Sequence, residues 1–292
     1  MVNLVEAQKP LLHFLIKWAG LRQHTVDVDG AGTVLTFWVP KDKVPGNSST
    51  VTPEEKHSET SKAKGVRRPS VVLVHGFAAE GIVTWQFQAE CLAAALGKLG
   101  VDECTVVGFS YGGMVAFKMA ESRPDLVRSL VVSGSVVAMT DSISDTTLER
   151  IGVRSSAELL LPESVKGLKA LLSIAAHRRL WFPERLHRDF LEVMFTNRKE
   201  RAELLEGLVV SNKDATVPVL PQKILLLWGH NDNIFNIELA KTMKEQLGEK
   251  TMLQSIDKAG HLVHLERPCV YNQHLMEFLA YATAEASKES AN

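Results

Sequence analysis

The residues best suited to chemistry begin with Ser110, set in Gly108-Phe109-Ser110-Tyr111-Gly112 between an apolar run, Thr105 to Phe109, and an amphipathic one, Met114 to Glu121. A G-x-S-x-G sequence that joins strand to helix holds its serine on a sharp turn with Oγ exposed. Small residues are needed on both sides, because a side chain there would collide with neighbouring backbone. The turn also sets Ser110 at a helix N-terminus, where N–H groups and the helix dipole favour developing negative charge. A serine hydroxyl is a weak nucleophile at neutral pH, so it needs a base, and the base needs an orienting carboxylate. Two later loops offer them. Asp232 follows the run Lys223 to Trp228 in Gly229-His230-Asn231-Asp232, and His261 follows Met252 to Ile256 in Ala259-Gly260-His261. The order serine, acid, histidine leaves room for an insertion before the acid and for one αβ unit after it.

These loops need a sheet to carry them. Val71 to Val74 is wholly apolar and β-branched or leucine, reads as a buried parallel strand, and leads into His75-Gly76-Phe77. Further strands are expected at Thr105 to Phe109, Ser129 to Val132, Ile224 to Trp228 and Met252 to Ile256, with helical stretches between them. The alternation predicts an α/β fold, a mostly parallel sheet with helices on both faces. From about Met139 to Val219 the rhythm changes to consecutive helices, at Val165 to Arg178, Pro183 to Phe195 and Arg198 to Val210, which predicts an inserted helical cap.

Upstream, Val26 to Asp29 and Thr33 to Val39 predict a β-hairpin. Leu11, Leu12, Phe14, Leu15 and Trp18 fall at helical spacing and predict a short amphipathic helix packed on its own domain, with peripheral membrane contact as the other reading. Residues 41–70 carry almost no large apolar side chain and are expected to form a disordered surface loop. The expected organisation is helix and hairpin over 1–40, loop over 41–70, core over 71–138, cap over 139–219 and core again over 220–292.

A length of 292 residues with 45% hydrophobic composition suffices for one large core. A net charge of -1 provides no field that would draw the chain to nucleic acid. The three cysteines, Cys91, Cys104 and Cys269, are too few and scattered for a disulfide framework or zinc site, which suggests a reducing, cytoplasmic setting. The apolar N-terminal stretch is interrupted by Glu6, Lys9, Pro10 and Lys17, so no membrane span is expected.

With VVLVHGF, VVGFSYGGMVA, LLLWGHNDNIF and KAGHLVHLERP in hand, the chain resembles the α/β-hydrolase superfamily, and most nearly its plant cytosolic, capped, esterase/lipase-like members. The likeness runs from Val71 to Pro268. It implies Ser110 as nucleophile, His261 as general base and acid, and Asp232 as the group that holds the imidazole. It further implies an oxyanion hole from the backbone N–H groups of Phe77 and Tyr111, with His75 and Gly76 shaping that loop. Trp181, Phe182 and Phe190, with Met194 and Phe195, are candidates for an acyl pocket, and packing of the cap explains them as well. His264 is read as packing behind the site, His230 as structural, and His177 and His187 as surface residues. The implied activity is hydrolysis of a small or medium hydrophobic ester through an acyl-enzyme, with no metal or organic cofactor. Carbon–carbon bond hydrolysis, a ligand receptor and an inactive truncated form are the alternatives on the same fold.

One departure stands out. Between the oxyanion loop and the elbow the superfamily normally has a helix, a strand and a second helix, which would need about 45 residues. Phe77 to Glu103 provides 27 and one visible helix, about Trp85 to Leu99. A central strand and a helix are therefore expected to be missing, with the hairpin as the candidate to close the gap.

Overall fold

The computed structural model describes residues 2–44, 69–77, 85–179 and 181–289. In chain order these form α1 (Leu4–Trp18), β1 (Leu21–Asp27), β2 (Val34–Pro40), β3 (Ser70–Val74), α2 (Trp85–Lys98), β4 (Cys104–Phe109), α3 (Tyr111–Ser122) and β5 (Val127–Ser133). Then come β6 (Met139–Thr140), α4 (Asp141–Ile151), α5 (Ser156–Leu160), α6 (Val165–Ala175), α7 (Glu184–Met194), α8 (Arg198–Gly207) and β7 (Val209–Val210). The chain ends with β8 (Lys223–Gly229), α9 (Ile237–Leu247), β9 (Thr251–Ile256), α10 (Val263–Glu266) and α11 (Pro268–Glu289). Of the loop expected over 41–70, residues 45–68 lie outside the described residues, and Lys41–Lys43 form a short 3-10 turn.

Five strands pair in the order β3-β4-β5-β8-β9, every pair parallel. Alternate residues of the central strands point to opposite faces, and both faces are covered. Val106, Leu130, Val132, Ile224, Leu226 and Trp228 meet α2, α3 and α9 residues on one side. Val107, Val131, Leu225 and Leu227 meet Val263, Tyr271 and Phe278 of α10 and α11 on the other. Two-sided burial explains why these strands are continuous apolar runs rather than alternating ones. At about 1.5–3 kcal/mol per buried large side chain, they are the main source of stability. Because all five strands run the same way, the loops that follow β3, β4, β5, β8 and β9 gather at one end of the sheet, where sites in open parallel sheets are built.

The segment between β5 and β8 is closed at its base. β6 and β7 pair in parallel, and the Asn212 side chain accepts from Ser142 N (3.3 Å) and Ser142 Oγ (2.9 Å). The five helices α4–α8 therefore leave and rejoin the core at a single neck.

Among the described residues between β3 and β4 there is one helix, α2, and it crosses between two adjacent parallel strands. The hairpin does not fill the vacant position. Among the described residues β1 and β2 pair only with each other, over Leu21↔Pro40 to Asp27↔Val34, and pack on α2 through Val26, Val39, Ala95 and Leu99. Their strand also begins earlier than expected, at Leu21. Among the described residues β3 is consequently an edge of the sheet, and it is not the buried strand expected: Val71 and Leu73, on one face, are exposed, Leu73 to 74%.

The N-terminal helix departs from expectation too. It starts at Leu4, capped by the Asn3 side chain, and none of its residues is buried. Leu11, Phe14, Leu15 and Trp18, one stripe at i, i+3, i+4 and i+7, point outward, with Trp18 81% exposed. The helix is moored through polar groups at its start: Leu4 N donates to Asp189 Oδ2 (2.8 Å) and Arg185 Nη2 to the Val2 carbonyl (2.7 Å), both on α7. In His187 the structure reverses another expectation. Its ring is buried in α7, because Nδ1 finds the Pro183 carbonyl one turn earlier (3.1 Å) and the apolar face meets Phe182.

An apolar edge strand invites pairing with other chains. Leu73→Lys is expected to leave the melting temperature within the range of surface substitutions, about 0.5 kcal/mol either way, while lowering light scattering at high protein concentration. Equal scattering from both proteins would show that the β3 edge is not the site of self-association.

Candidate active site

The site is assembled from the ends of four strands. β4 ends in Phe109, and Ser110 takes φ 53°, ψ -123°, a conformation that strongly disfavours a residue with a side chain. Two backbone bonds hold it there, Ser110 N to the Ser133 carbonyl (2.9 Å) and Gly113 N to the Ser110 carbonyl (2.8 Å). The flanking glycines are required by contact. A Cβ on Gly112 would lie 2.3 Å from the Val74 carbonyl oxygen, and one on Gly108 would lie 2.4 Å from that of Gly112. Strand end, elbow and helix start are thus packed backbone against backbone.

β8 ends at Gly229, and the following turn is fixed by His230 N to the Ile256 carbonyl (2.9 Å) and Asn231 N to the Ala259 carbonyl (2.9 Å). Asp232 is buried, 3% exposed. Its Oδ1 accepts from the N–H groups of Ile234 (2.8 Å) and Phe235 (2.9 Å), which leaves Oδ2 aimed at the histidine. His261, 6% exposed, lies between the other two: Nδ1 is 2.9 Å from Asp232 Oδ2, and Nε2 is 3.2 Å from Ser110 Oγ. An ionised carboxylate only accepts, so Nδ1 carries the proton and Nε2 faces the serine with its lone pair. Such a chain can take the hydroxyl proton as Oγ attacks an electrophile.

The loop after β3 borders the serine on the other side. A Cβ on Gly76 would lie 3.1 Å from the Phe109 ring and 3.2 Å from Ser110 Cβ, so His75-Gly76-Phe77 passes close enough to the elbow that a side chain there would require its neighbours to shift. Phe77 is fixed by Arg201 of α8, which donates through Nη1 to its carbonyl (3.3 Å) and lies 5.8 Å from its ring centroid. His75 is exposed, its Nδ1 within 2.9 Å of the Gly76 carbonyl. Phe77 and Phe190 join the apolar cluster of Leu161, Leu168, Phe195 and Leu205, and the Phe190 and Phe195 rings are 6.1 Å apart. Trp181 is not in this group; it stands 83% exposed, and Phe182 is also exposed.

Gly134, Phe109 and Tyr271 also border the site, and none was given a role from the sequence. Gly134, just after β5, has φ 52°, and a Cβ there would be 2.8 Å from the His261 ring and 3.2 Å from Asp232 Oδ2. Its position, one residue past an apolar strand end, was the available signal. Phe109 lies between two imidazoles, 5.0 Å from His261 and 4.5 Å from His264 by ring centroids. His264 is held neutral, its pKa lowered from the ordinary 6.5 by burial and then by His261 beside it. Burial likewise raises the pKa of Tyr271, whose hydroxyl reaches Ser133 Oγ (3.1 Å) and whose ring faces His264. His230 is exposed, with Nδ1 3.3 Å from Ser255 Oγ.

A model of the alpha/beta hydrolase family matches residues 67–273. This chain belongs to the alpha/beta hydrolase family. Over 200 residues it is 25% identical to a 2-hydroxy-6-oxononadienedioate/2-hydroxy-6-oxononatrienedioate hydrolase of a Pseudomonas species, a match covering 66% of this chain and 68% of that one. A bacterial membrane phospholipase A has a similar structure, with a TM-score of 0.71 at 20% identity, covering 96% of this chain and 92% of that one. A thermophilic esterase from Thermogutta terrifontis aligns with a TM-score of 0.57 at 19% identity, over 74% of this chain and 90% of that one. The alpha/beta hydrolase described here shares their fold. No described helix is long and apolar enough to cross a membrane.

Two outcomes are expected. Gly112→Ala forces a methyl into the Val74 carbonyl and should destabilise the protein by about 1–3 kcal/mol or more, read by denaturant unfolding. His264 is neutral when folded, so below its unfolded pKa near 6.5 the unfolded chain binds more protons. Its contribution is present above that value and is lost as pH falls through the lowered folded pKa. Melting temperature should therefore fall between about pH 7.5 and pH 5.5, and His264→Phe should flatten that part of the profile; an unchanged slope counts against the assignment.

Proposed function

We propose that this alpha/beta hydrolase is a serine hydrolase in which Ser110 is the nucleophile, His261 the general base and then acid, and Asp232 the group that orients the imidazole. The observation that carries the reading is the continuous chain from Asp232 Oδ2 through His261 to Ser110 Oγ, at 2.9 and 3.2 Å, ending on a serine held at φ 53°. Oγ attacks the carbonyl carbon of an ester while His261 accepts its proton. The backbone N–H groups of Phe77 and Tyr111 stabilise the oxyanion, and His261 then gives the proton to the departing alcohol. Water, activated by the same imidazole, attacks the acyl-enzyme and releases the acid and Ser110.

The substrate we favour is a small or medium hydrophobic ester. The support is an apolar cluster in which Phe77, from the loop after β3, meets Leu168 of α6, Phe190 of α7 and Phe195 just after it, with helices α4–α8 acting as a cap over the strand ends. Carbon–carbon bond hydrolysis is the second reading, favoured by the 25% identity to the Pseudomonas hydrolase. A reducing, cytoplasmic setting fits the three free cysteines, of which Cys269 is exposed. The outward stripe of α1 suits weak peripheral contact with a lipid surface.

A fluorophosphonate probe is expected to label the wild type and to fail with Ser110→Ala and His261→Ala, while Asp232→Asn slows labelling by roughly 10³-fold or more. Thermal melts of each variant accompany the assay. A wild type that melts cooperatively yet takes no label would refute the reading, as would label retained in Ser110→Ala. Turnover of p-nitrophenyl esters of increasing chain length, set against a vinylogous 1,5-diketone, separates ester from carbon–carbon cleavage.

A further inference from the structure

The histidine loop touches the inserted helical segment directly, backbone on backbone. A Cβ on Gly260 would lie 2.7 Å from His177 N, 2.8 Å from the Ala175 carbonyl oxygen and 3.0 Å from the Ala176 carbonyl carbon. Leu262 N donates to the Ala175 carbonyl (3.2 Å), one of the carbonyls that the end of α6 leaves without an intrahelical partner. One side chain spans the two segments. Glu266, at the end of α10, accepts through Oε2 from Gly260 N (2.6 Å) and His177 N (3.1 Å), and through Oε1 from Arg178 N (2.9 Å).

We infer that Glu266 is a positioning residue that clamps the histidine loop to the chain leaving α6, so that the seating of the helical segment and the orientation of His261 are set together. The inference rests on the reading of His261 as the base. A carboxylate suits this task because its two oxygens accept three N–H bonds at once, and bonds to a charged acceptor are the stronger kind. A neutral amide in its place keeps one accepting oxygen and turns a donor toward a donor. The other end of the connection lies in α6 itself, whose Leu168, Leu171 and Leu172 pack in the cluster that contains Phe77 and Phe190. A displacement of α6 by a substrate would therefore be transmitted through Glu266 to the residue after Gly260, which is His261. Glu266 does not touch the reacting atoms. It acts through the loop's backbone.

The test compares wild type, Glu266→Gln and Glu266→Ala by fluorophosphonate labelling rate across pH, thermal melting, and hydrogen exchange of the amides at 176–178 and 260–262. In Glu266→Ala, labelling should slow on the order of tenfold or more, since small misplacements of a reacting group carry costs of that size. Glu266→Gln should fall between it and wild type, and exchange should rise in both segments together. Labelling within about twofold of wild type in a cooperatively melting variant would overturn the clamp, as would faster exchange at 260–262 with none at 176–178. If Glu266→Ala does not melt cooperatively, Glu266→Gln decides on the same criteria. A wild type that takes no label would instead sink the serine-hydrolase reading, and the exchange comparison would still decide the clamp.

Discussion

The arrangement of this protein turns on one buried contact, the Asp232 carboxylate against the His261 imidazole. A carboxylate with 3% exposure is costly unless its lone pairs are occupied. Here the protein supplies two N–H groups to Oδ1 and the ring to Oδ2. The two N–H groups belong to the loop after β8 and the ring to the loop after β9, so the contact forms only when the ends of β8 and β9 are in register. Gly229 pairs with Ile256, and a Cβ on Gly229 would lie 2.0 Å from the Gly260 carbonyl oxygen. Gly134 closes the same contact from β5. The pair is thus a consequence of how closely three backbones approach, and a methyl group at either glycine would push them apart.

Ser110 depends on that contact without taking part in it. The elbow is strained by itself, at a cost of about 1–3 kcal/mol for a non-glycine residue in such a region. It persists because β4 lies inside the sheet, paired on both sides, and because α3 packs with Tyr111, Met114, Val115 and Phe117 buried. Stability stored in the centre of the sheet holds a locally unfavourable serine at its rim, aimed at a ring fixed from elsewhere.

Much of this was legible in the sequence, for reasons that differ by element. β4, β5 and β8 are buried on both faces and so announce themselves as unbroken apolar runs, and the elbow glycines are demanded by contacts that any chain with this turn must make. The scarcity of residues between Phe77 and Glu103 correctly foretold a single helix there among the described residues. What could not be read was long-range placement. The hairpin pattern of β1 and β2 is a local signal and does not say which sheet the hairpin joins; it joins neither edge. The stripe of α1 is equally local. Periodicity gives an apolar face but not whether anything covers it, and the helix is instead moored by Asn3, Leu4 and Val2 to α7. His187 sits in a charged stretch and still is buried, because a carbonyl one turn back satisfies its ring nitrogen. Glu266 looks like one more acid in HLVHLERP, and only the fold brings the N–H groups of 177 and 178 to it.

The five-stranded sheet has two edges, β3 and β9, and both carry loops of the candidate site. An edge strand is held by hydrogen bonds on one side only, so the loop that follows it requires other anchors. At β9 they are plain: Asp232 holds the His261 ring, and Glu266 and the Ala175 carbonyl hold its backbone to the end of α6. At β3 they are of a different kind. Gly112 packs under the Val74 and His75 carbonyls, Gly76 packs against Ser110, and Arg201 reaches down from α8 to the Phe77 carbonyl. Both edge loops are therefore tied to the helical segment between β5 and β8, one through α6 and the other through α8. That segment is itself joined to the core at one neck, where β6 meets β7. With no strand paired to the outer side of β3 among the described residues, the helical segment takes over part of what a flanking strand would do, and the geometry around Ser110 becomes a property of the segment's seating as much as of the sheet.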